Sequence, residues 1–147
     1  MGQQQLLLVI LVTIIVGIAT VVAINIFGTA AEEANRDAVR QDLLSAAAQA
    51  QAIWARPQMM GGAGGDFSIL TEEELLERVN IPRGPESTDG STVNDNGTYT
   101  LTRDNLSVTI TGEPVSGTDN IVMTVTREDP EAAGADGGVW RITWPTD

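Results

Sequence analysis

The chain begins with thirty-one residues that carry no charged side chain, and Glu32 is the first acid or base. The apolar run from 6 to 27 is long enough, at about 1.5 Å per residue, to cross a hydrocarbon core of about 30 Å. A secretory signal peptide has instead a basic start, an apolar stretch of roughly 7 to 15 residues and a small-residue cleavage site. The run therefore predicts a retained membrane-spanning helix, with the short MGQQQ side expected at the cytoplasmic face.

The rest of the 147 residues amounts to about one small soluble domain without a thiol or an imidazole. Because there is no cysteine and no histidine, the chain lacks a thiolate nucleophile and the commonest general base and metal ligand. We expect no enzyme activity, no cofactor and no metal site. The net charge of −12 disfavours nucleic acid and anionic lipid surfaces as partners, and it fits either a well-solvated surface or a saline exterior.

The helix is predicted to continue past the apolar run to about residue 55. No proline precedes Pro57, and the segment TAAEEANRDAVRQDLLSAAAQAQAIWARP is dense in strong helix formers. Pro57 and the glycines of MMGGAGGD end the helix. Residues 29–56 form an amphipathic stem, because apolar side chains recur at three- to four-residue steps at Val39, Leu43, Ala46 or Ala47, Ala50 and Trp54.

The remaining chain predicts one short helix and a sheet. Residues 57–97 are assigned to a glycine-rich turn, a helix at 71–79 that begins with the capping box of Thr71 and Glu74, and a loop at 83–97. Residues 98–147 alternate with a period of two, which predicts four antiparallel strands at 98–102, 106–112, 120–127 and 138–144.

The predicted fold class is α+β, with the long helix packed on this four-stranded antiparallel sheet. Residues 29–147 together form one globular domain. Its core is expected to contain Val39, Leu43, Trp54, Val108, Met123, Trp140, Ile142 and Trp144.

Small and polar residues interrupt the apolar run at Thr13, Gly17 and Thr20. Their spacing of four and three places them on one helix face, which favours close approach of a second helix. Gly and Thr are also common in membrane helices that have no such contact, so both interpretations stay open.

This architecture, an apolar N-terminal helix that continues into an amphipathic stem and then an antiparallel sheet, resembles a type IV pilin. The resemblance covers the whole chain in architecture, and its specific motif is the first thirty or so residues. In that family a short leader ending in glycine is removed, which here implies residues 1–2 as leader and cleavage between Gly2 and Gln3. Residues 3–28 would then be the membrane anchor and filament core. Leu7 occupies the fifth mature position, where pilins usually carry a glutamate, and Gln4 or Gln5 would replace its charge by hydrogen bonding.

The resemblance implies a structural subunit of an extracellular filament, assembled through bundling of the apolar helices at Leu7, Thr13, Gly17 and Thr20. The implied partners are copies of the same chain, the inner membrane before assembly, the leader peptidase and the assembly machinery. The alternatives are a pseudopilin of a secretion apparatus and a membrane-tethered extracytoplasmic binding module.

Two kinds of short motif stand apart from this function. Asn96 and Asn105 each begin an N-x-S/T pattern, which marks a glycosylation acceptor in a secreted protein but also arises by chance. The acidic loops NDNG and REDPEAAGADGG lack the full spacing of a calcium loop, which favours solvated loops over calcium sites.

Overall fold

The structure is a computed structural model that describes residues 2–128 and 138–144. It is α+β, with a long N-terminal helix, α1 (Gly2–Ala55), packed on an antiparallel sheet. The chain divides into two compact units, Met1–Ala34 and Asn35–Asp147. The second unit therefore begins at Asn35, six residues after the expected domain boundary at 29, and it contains the C-terminal part of α1 and everything that follows.

Helix α1 ends at Ala55 because the next residues supply donors for its last carbonyl groups. The backbone N–H groups of Ala63 and Gly65 donate to the carbonyl oxygens of Ile53 and Trp54, at 2.9 and 3.1 Å. Only glycine fits at 62, since a Cβ there would overlap the carbonyl oxygen of Arg56. The glycine-rich turn is therefore the C-terminal cap of α1.

The second helix, α2 (Glu72–Arg78), confirms the predicted capping box. The backbone N–H of Glu74 donates to the Thr71 hydroxyl at 3.2 Å, and the Glu74 carboxylate accepts from the Thr71 backbone N–H at 3.1 Å. Two short 3-10 helices, Gln58–Met60 and Phe67–Ile69, lie between α1 and α2.

The sheet has five strands, not four, in the order β1-β2-β3-β4-β5. The strands are β1 (Thr92–Val93), β2 (Gly97–Arg103), β3 (Ser107–Pro114), β4 (Ile121–Arg127) and β5 (Trp140–Thr143). Strand β1 lies in the stretch predicted as a loop. Two residues are too few to show alternation, but the NDNG turn that joins β1 to β2 is a hairpin signal that could have revealed it.

The core lies between the stem part of α1 and one face of the sheet. Helix α1 contributes Val39, Leu43, Ala46, Ala47, Ala50 and Ile53. The sheet contributes Tyr99, Leu101, Val108, Ile110, Ile121, Met123 and Val125. The helix comes close at Gly112, where a Cβ would stand 2.6 Å from Cγ1 of Val39.

The aromatic residues form a cluster at the edge of this core. The ring centroid of Trp54 lies 4.8 Å from that of Phe67 and 5.7 Å from that of Trp140. Phe67 is fully buried, and the two tryptophans are partly buried. The Arg127 guanidinium carbon lies 5.3 Å from the ring centroid of Trp140, in cation–π geometry.

Two residues expected in the core are exposed instead. Ile142 and Trp144 expose 38% and 36% of their surface. Strand β5 is at the edge of the sheet and pairs only with β4 among the described strands, so its apolar face has neighbours on one side. Alternation of apolar residues indicates a face, but it does not indicate whether the strand is central or at the edge.

Candidate membrane and assembly segment

The N-terminal part of α1, from Leu6 to Phe27, presents an apolar surface on every side of the helix. Every large apolar side chain from Leu6 to Phe27 is exposed, with exposed fractions from 46% at Ile10 to 74% at Phe27. A helix that is apolar on every face requires apolar surroundings. Helix α1 is long and apolar enough to cross a membrane, and this segment is compatible with a membrane anchor.

The polar side chains within this segment are satisfied by the helix itself. The Thr13 hydroxyl donates to the carbonyl oxygens of Ile10 and Val9, at 2.8 and 3.0 Å. The Thr20 hydroxyl donates to the carbonyl oxygen of Val16 at 2.8 Å. Neither hydroxyl therefore adds an unsatisfied donor to an apolar environment.

The structure brings three of the four predicted assembly residues onto one face. At about 100° per residue, Thr13, Gly17 and Thr20 lie within an arc of about 60°, whereas Leu7 is about 120° from Thr13. A Cβ at Gly17 would meet no atom within 4 Å outside its own helix turn, so this face is open to a neighbour. Leu7 belongs to a different face, where it is 66% exposed.

The predicted leader junction lies at the start of α1. Gly2 and Gln3 are the first two described residues, both are exposed, and both are helical. Met1 lies outside the described residues. The first turn of α1 contains no acidic side chain, so none compensates the positive end of the helix dipole there.

The second unit contains a polar cluster that sequence reasoning did not find. One oxygen of the Asp42 carboxylate, Oδ2, accepts hydrogen bonds from the Tyr99 hydroxyl at 2.6 Å, Asn96 Nδ2 at 2.9 Å and Asn94 Nδ2 at 3.0 Å. We call these four residues the Asp42 cluster. It joins α1 to the β1–β2 hairpin. The available sequence signal was only that Asp42 directly precedes Leu43 of the predicted stripe.

Burial and the Asp42 carboxylate together raise the pKa of Tyr99 well above its ordinary value of 10.0. Burial is the larger cause, because it removes the phenolate from water, and the negative charge of Asp42 adds to it. Tyr99 is therefore protonated at neutral pH, where its hydroxyl donates to Asp42. The cluster is a hydrogen-bonded contact within the second unit.

The loops considered for calcium have other roles where they are described. Asn94 Oδ1 accepts from the backbone N–H groups of Asn96 and Gly97, at 2.9 and 3.0 Å, and so closes the hairpin turn. Most of the second acidic loop, residues 129–137, lies outside the described residues. Within the part of the chain that is described, no group of three or more acidic side chains is placed to hold a metal ion.

The two glycosylation motifs differ in their surroundings. Asn96 is partly buried, and its side-chain nitrogen donates to Asp42. Asn105 is exposed in the turn between β2 and β3, where its Oδ1 accepts from the backbone N–H of Leu106 at 3.0 Å. Of the two side-chain nitrogens, Asn96 Nδ2 is bonded to Asp42, whereas Asn105 Nδ2 has no hydrogen-bond partner among the described residues.

Comparison with protein-family models, with curated proteins and with solved structures found no match. The exposed apolar segment of α1 is therefore the feature from which a function can be argued.

Proposed function

We propose that the chain is a structural subunit of an extracellular filament of the type IV pilus kind, anchored in the membrane before assembly. The observation that carries the proposal is the exposed, charge-free surface from Leu6 to Phe27. A single copy cannot keep this surface in water, because each buried apolar Å² is worth about 25 cal/mol. Lipid covers the surface before assembly, and copies of the same helix cover it in the filament.

The open face at Thr13, Gly17 and Thr20 supports helix–helix contact in particular. Small side chains let two helix backbones approach closely. In lipid the hydrophobic effect does not drive helices together, so the close packing of their surfaces stabilises the pair. The two threonine hydroxyls are already bonded to their own helix. They therefore present mainly their methyl groups to a neighbouring helix.

The test replaces Gly17 in the full-length chain and examines the filaments sheared from producing cells. Gly17→Arg places an unpaired charge in the helix bundle, with a penalty of several kcal/mol, and we expect filaments to be lost. Gly17→Leu adds bulk without charge, and we expect fewer filaments because close approach is prevented. Ser45→Arg, an exposed position on the stem, is the matched control and should leave the yield unchanged.

Membrane fractionation separates failed assembly from failed insertion. Each variant has to remain in the membrane fraction of cells before its filament yield is compared. Normal filaments from a membrane-bound Gly17→Arg chain would contradict the proposal. Monomers in detergent with no filament from the unaltered chain would support the tethered binding module instead.

A further inference from the structure

The β1–β2 hairpin contains Asn96 followed by Gly97, the dipeptide most prone to spontaneous deamidation. The backbone nitrogen of the following residue attacks the asparagine side chain, and glycine has no Cβ to hinder that attack. We propose that Asn96–Gly97 is a latent self-modification site, which the Asp42 cluster holds inert while the hairpin is closed and which reacts when the hairpin opens.

The reaction needs only water and a solvent base. The Gly97 nitrogen loses its proton to the base and bonds to Cγ of Asn96. The Cγ–Nδ2 bond breaks, and Nδ2 takes up a proton from the protonated base and leaves as ammonia. Water then opens the cyclic imide and leaves either aspartate or isoaspartate at position 96. No oxidant, reductant or enzyme takes part.

In the closed hairpin, both reacting groups are held by hydrogen bonds. The attacking N–H of Gly97 donates to Asn94 Oδ1 at 3.0 Å, and the leaving Nδ2 of Asn96 donates to Asp42 Oδ2 at 2.9 Å. The Asn96 carbonyl oxygen accepts from Asn35 Nδ2 at 2.9 Å and from the Val115 backbone N–H at 3.1 Å. The side chain of Asn96 has to leave Asp42, and Gly97 has to leave Asn94, before the nitrogen reaches Cγ.

Packing explains why the reactive dipeptide contains glycine. A Cβ at position 97 would overlap the carbonyl oxygen of Glu113 on the neighbouring strand, and it would lie 3.0 Å from the carbonyl carbon. No other residue fits there without a shift of the backbone. The fold therefore requires glycine after Asn96 and depends on the cluster to suppress the reaction.

The product is incompatible with the closed hairpin. Aspartate at 96 replaces a donor by a second carboxylate at the 2.9 Å contact with Asp42, where like charges repel. Isoaspartate also adds a methylene group to the main chain and shifts the β1–β2 register. Because ammonia is lost, each deamidation makes the opening of the hairpin permanent.

The primary test compares the folded and unfolded states of the unaltered full-length chain. The chain is incubated in detergent micelles at one fixed pH, with and without denaturant, and Asn96 is followed by peptide mass spectrometry. We expect deamidation at Asn96 to be at least about tenfold slower in the folded chain, because protection follows the equilibrium for local opening. Equal rates in the two states would overturn the proposal. Asn105, followed by leucine, controls for general amide hydrolysis.

A variant test identifies Asp42 as the cause of the protection. Asp42→Ala should accelerate deamidation of Asn96 at least about tenfold over Asp37→Ala, a matched change at an exposed aspartate five residues earlier in the same helix. An unchanged rate in a folded Asp42→Ala chain would overturn the role of the cluster.

A third variant tests whether the product fits the closed hairpin. Asn96→Asp mimics the product and should lower the thermal midpoint, whereas the control Asn105→Asp should not. Equal thermal midpoints for the two variants would overturn the claim of incompatibility.

Discussion

At the scale of single residues, the contacts with the largest consequences are those of Asp42. One carboxylate oxygen accepts three side-chain donors that follow it in the chain by 52 to 57 residues. Charge-assisted hydrogen bonds of this kind are roughly twice as strong as neutral ones. The periodic apolar pattern of the stem predicts that Val39 and Leu43 are buried, but it does not indicate which residues more than 50 positions away contact Asp42. The cluster therefore could not be predicted from the sequence, although the stripe around it could.

Replacing Tyr99 by phenylalanine tests this contact through its pH dependence. Because the folded pKa of Tyr99 is raised above 10.0, its contribution to stability is complete below pH 10 and is lost as the pH rises through the folded pKa. We expect Tyr99→Phe to cost about 1 to 3 kcal/mol at neutral pH. We also expect its stability to fall less steeply above pH 10 than that of the unaltered chain.

The measurement is denaturant unfolding at several pH values. Tyr99 is the only tyrosine, so tyrosinate absorbance reports its ionisation directly. If the free energies of unfolding of the two proteins fall in parallel above pH 10, the pKa of Tyr99 is not raised in the folded chain.

The two C-terminal tryptophans provide a matched pair for the exposure of β5. Trp140 contacts Trp54 and Arg127, whereas Trp144 is more than one third exposed. We expect Trp140→Ala to cost about 2 to 3 kcal/mol, below the value for a fully buried tryptophan, and Trp144→Ala less than about 1 kcal/mol. Thermal unfolding of both variants checks the order, and a larger loss from Trp144→Ala would contradict the observed placement of β5.

At the scale of elements, local chemistry accounts for most of what the sequence predicts. The end of α1, the capping box of α2 and four of the five strands follow from proline, glycine, capping residues and alternation. Strand β1 was missed because it has only two residues and is stabilised by its partner and its turn. The exposure of Ile142 does not follow from its own segment, because it depends on β5 being at the edge of the sheet, and local alternation does not indicate the order of the strands. The face at Gly17 was predicted from spacing, since helix geometry is regular.

The contact of α1 with the sheet gives a prediction at this scale. Gly112→Ala would bring a Cβ within 2.6 Å of Cγ1 of Val39, and we expect a loss of about 1 to 3 kcal/mol from overpacking. Gly90→Ala is the control, because a Cβ there meets no atom within 4 Å. Combining Gly112→Ala with Val39→Ala should cost less than the sum of the two changes. Strict additivity in denaturant unfolding would show that the two residues do not contact each other.

At the scale of the whole molecule, the apolar run and the rest of the chain have opposite surface chemistry. Residues 1–31 carry no charged side chain, and all acidic residues except Glu32 and Glu33 lie in the second unit, which we call the acidic unit. Under the proposed function, the apolar helix drives assembly and the acidic units repel one another. The acidic units are therefore expected on the filament exterior.

Salt dependence tests this division of roles. Raising the ionic strength from about 0.01 M to about 0.15 M shortens the Debye length from about 30 Å to about 8 Å, so repulsion between the acidic units weakens. We expect purified filaments to be longer-lived at the higher salt, by light scattering over time. Filaments that dissolve as salt is added would indicate instead that ion pairs between the acidic units hold the filament together.

The most direct test of the central claim is electron cryo-microscopy of filaments sheared from producing cells. The proposal predicts a fibre whose axis is a bundle of helices formed by residues 6–27, with Thr13, Gly17 and Thr20 facing a neighbouring helix and the sheets outside. Fibres held together by contacts between sheets, with residues 6–27 away from the axis, would contradict it.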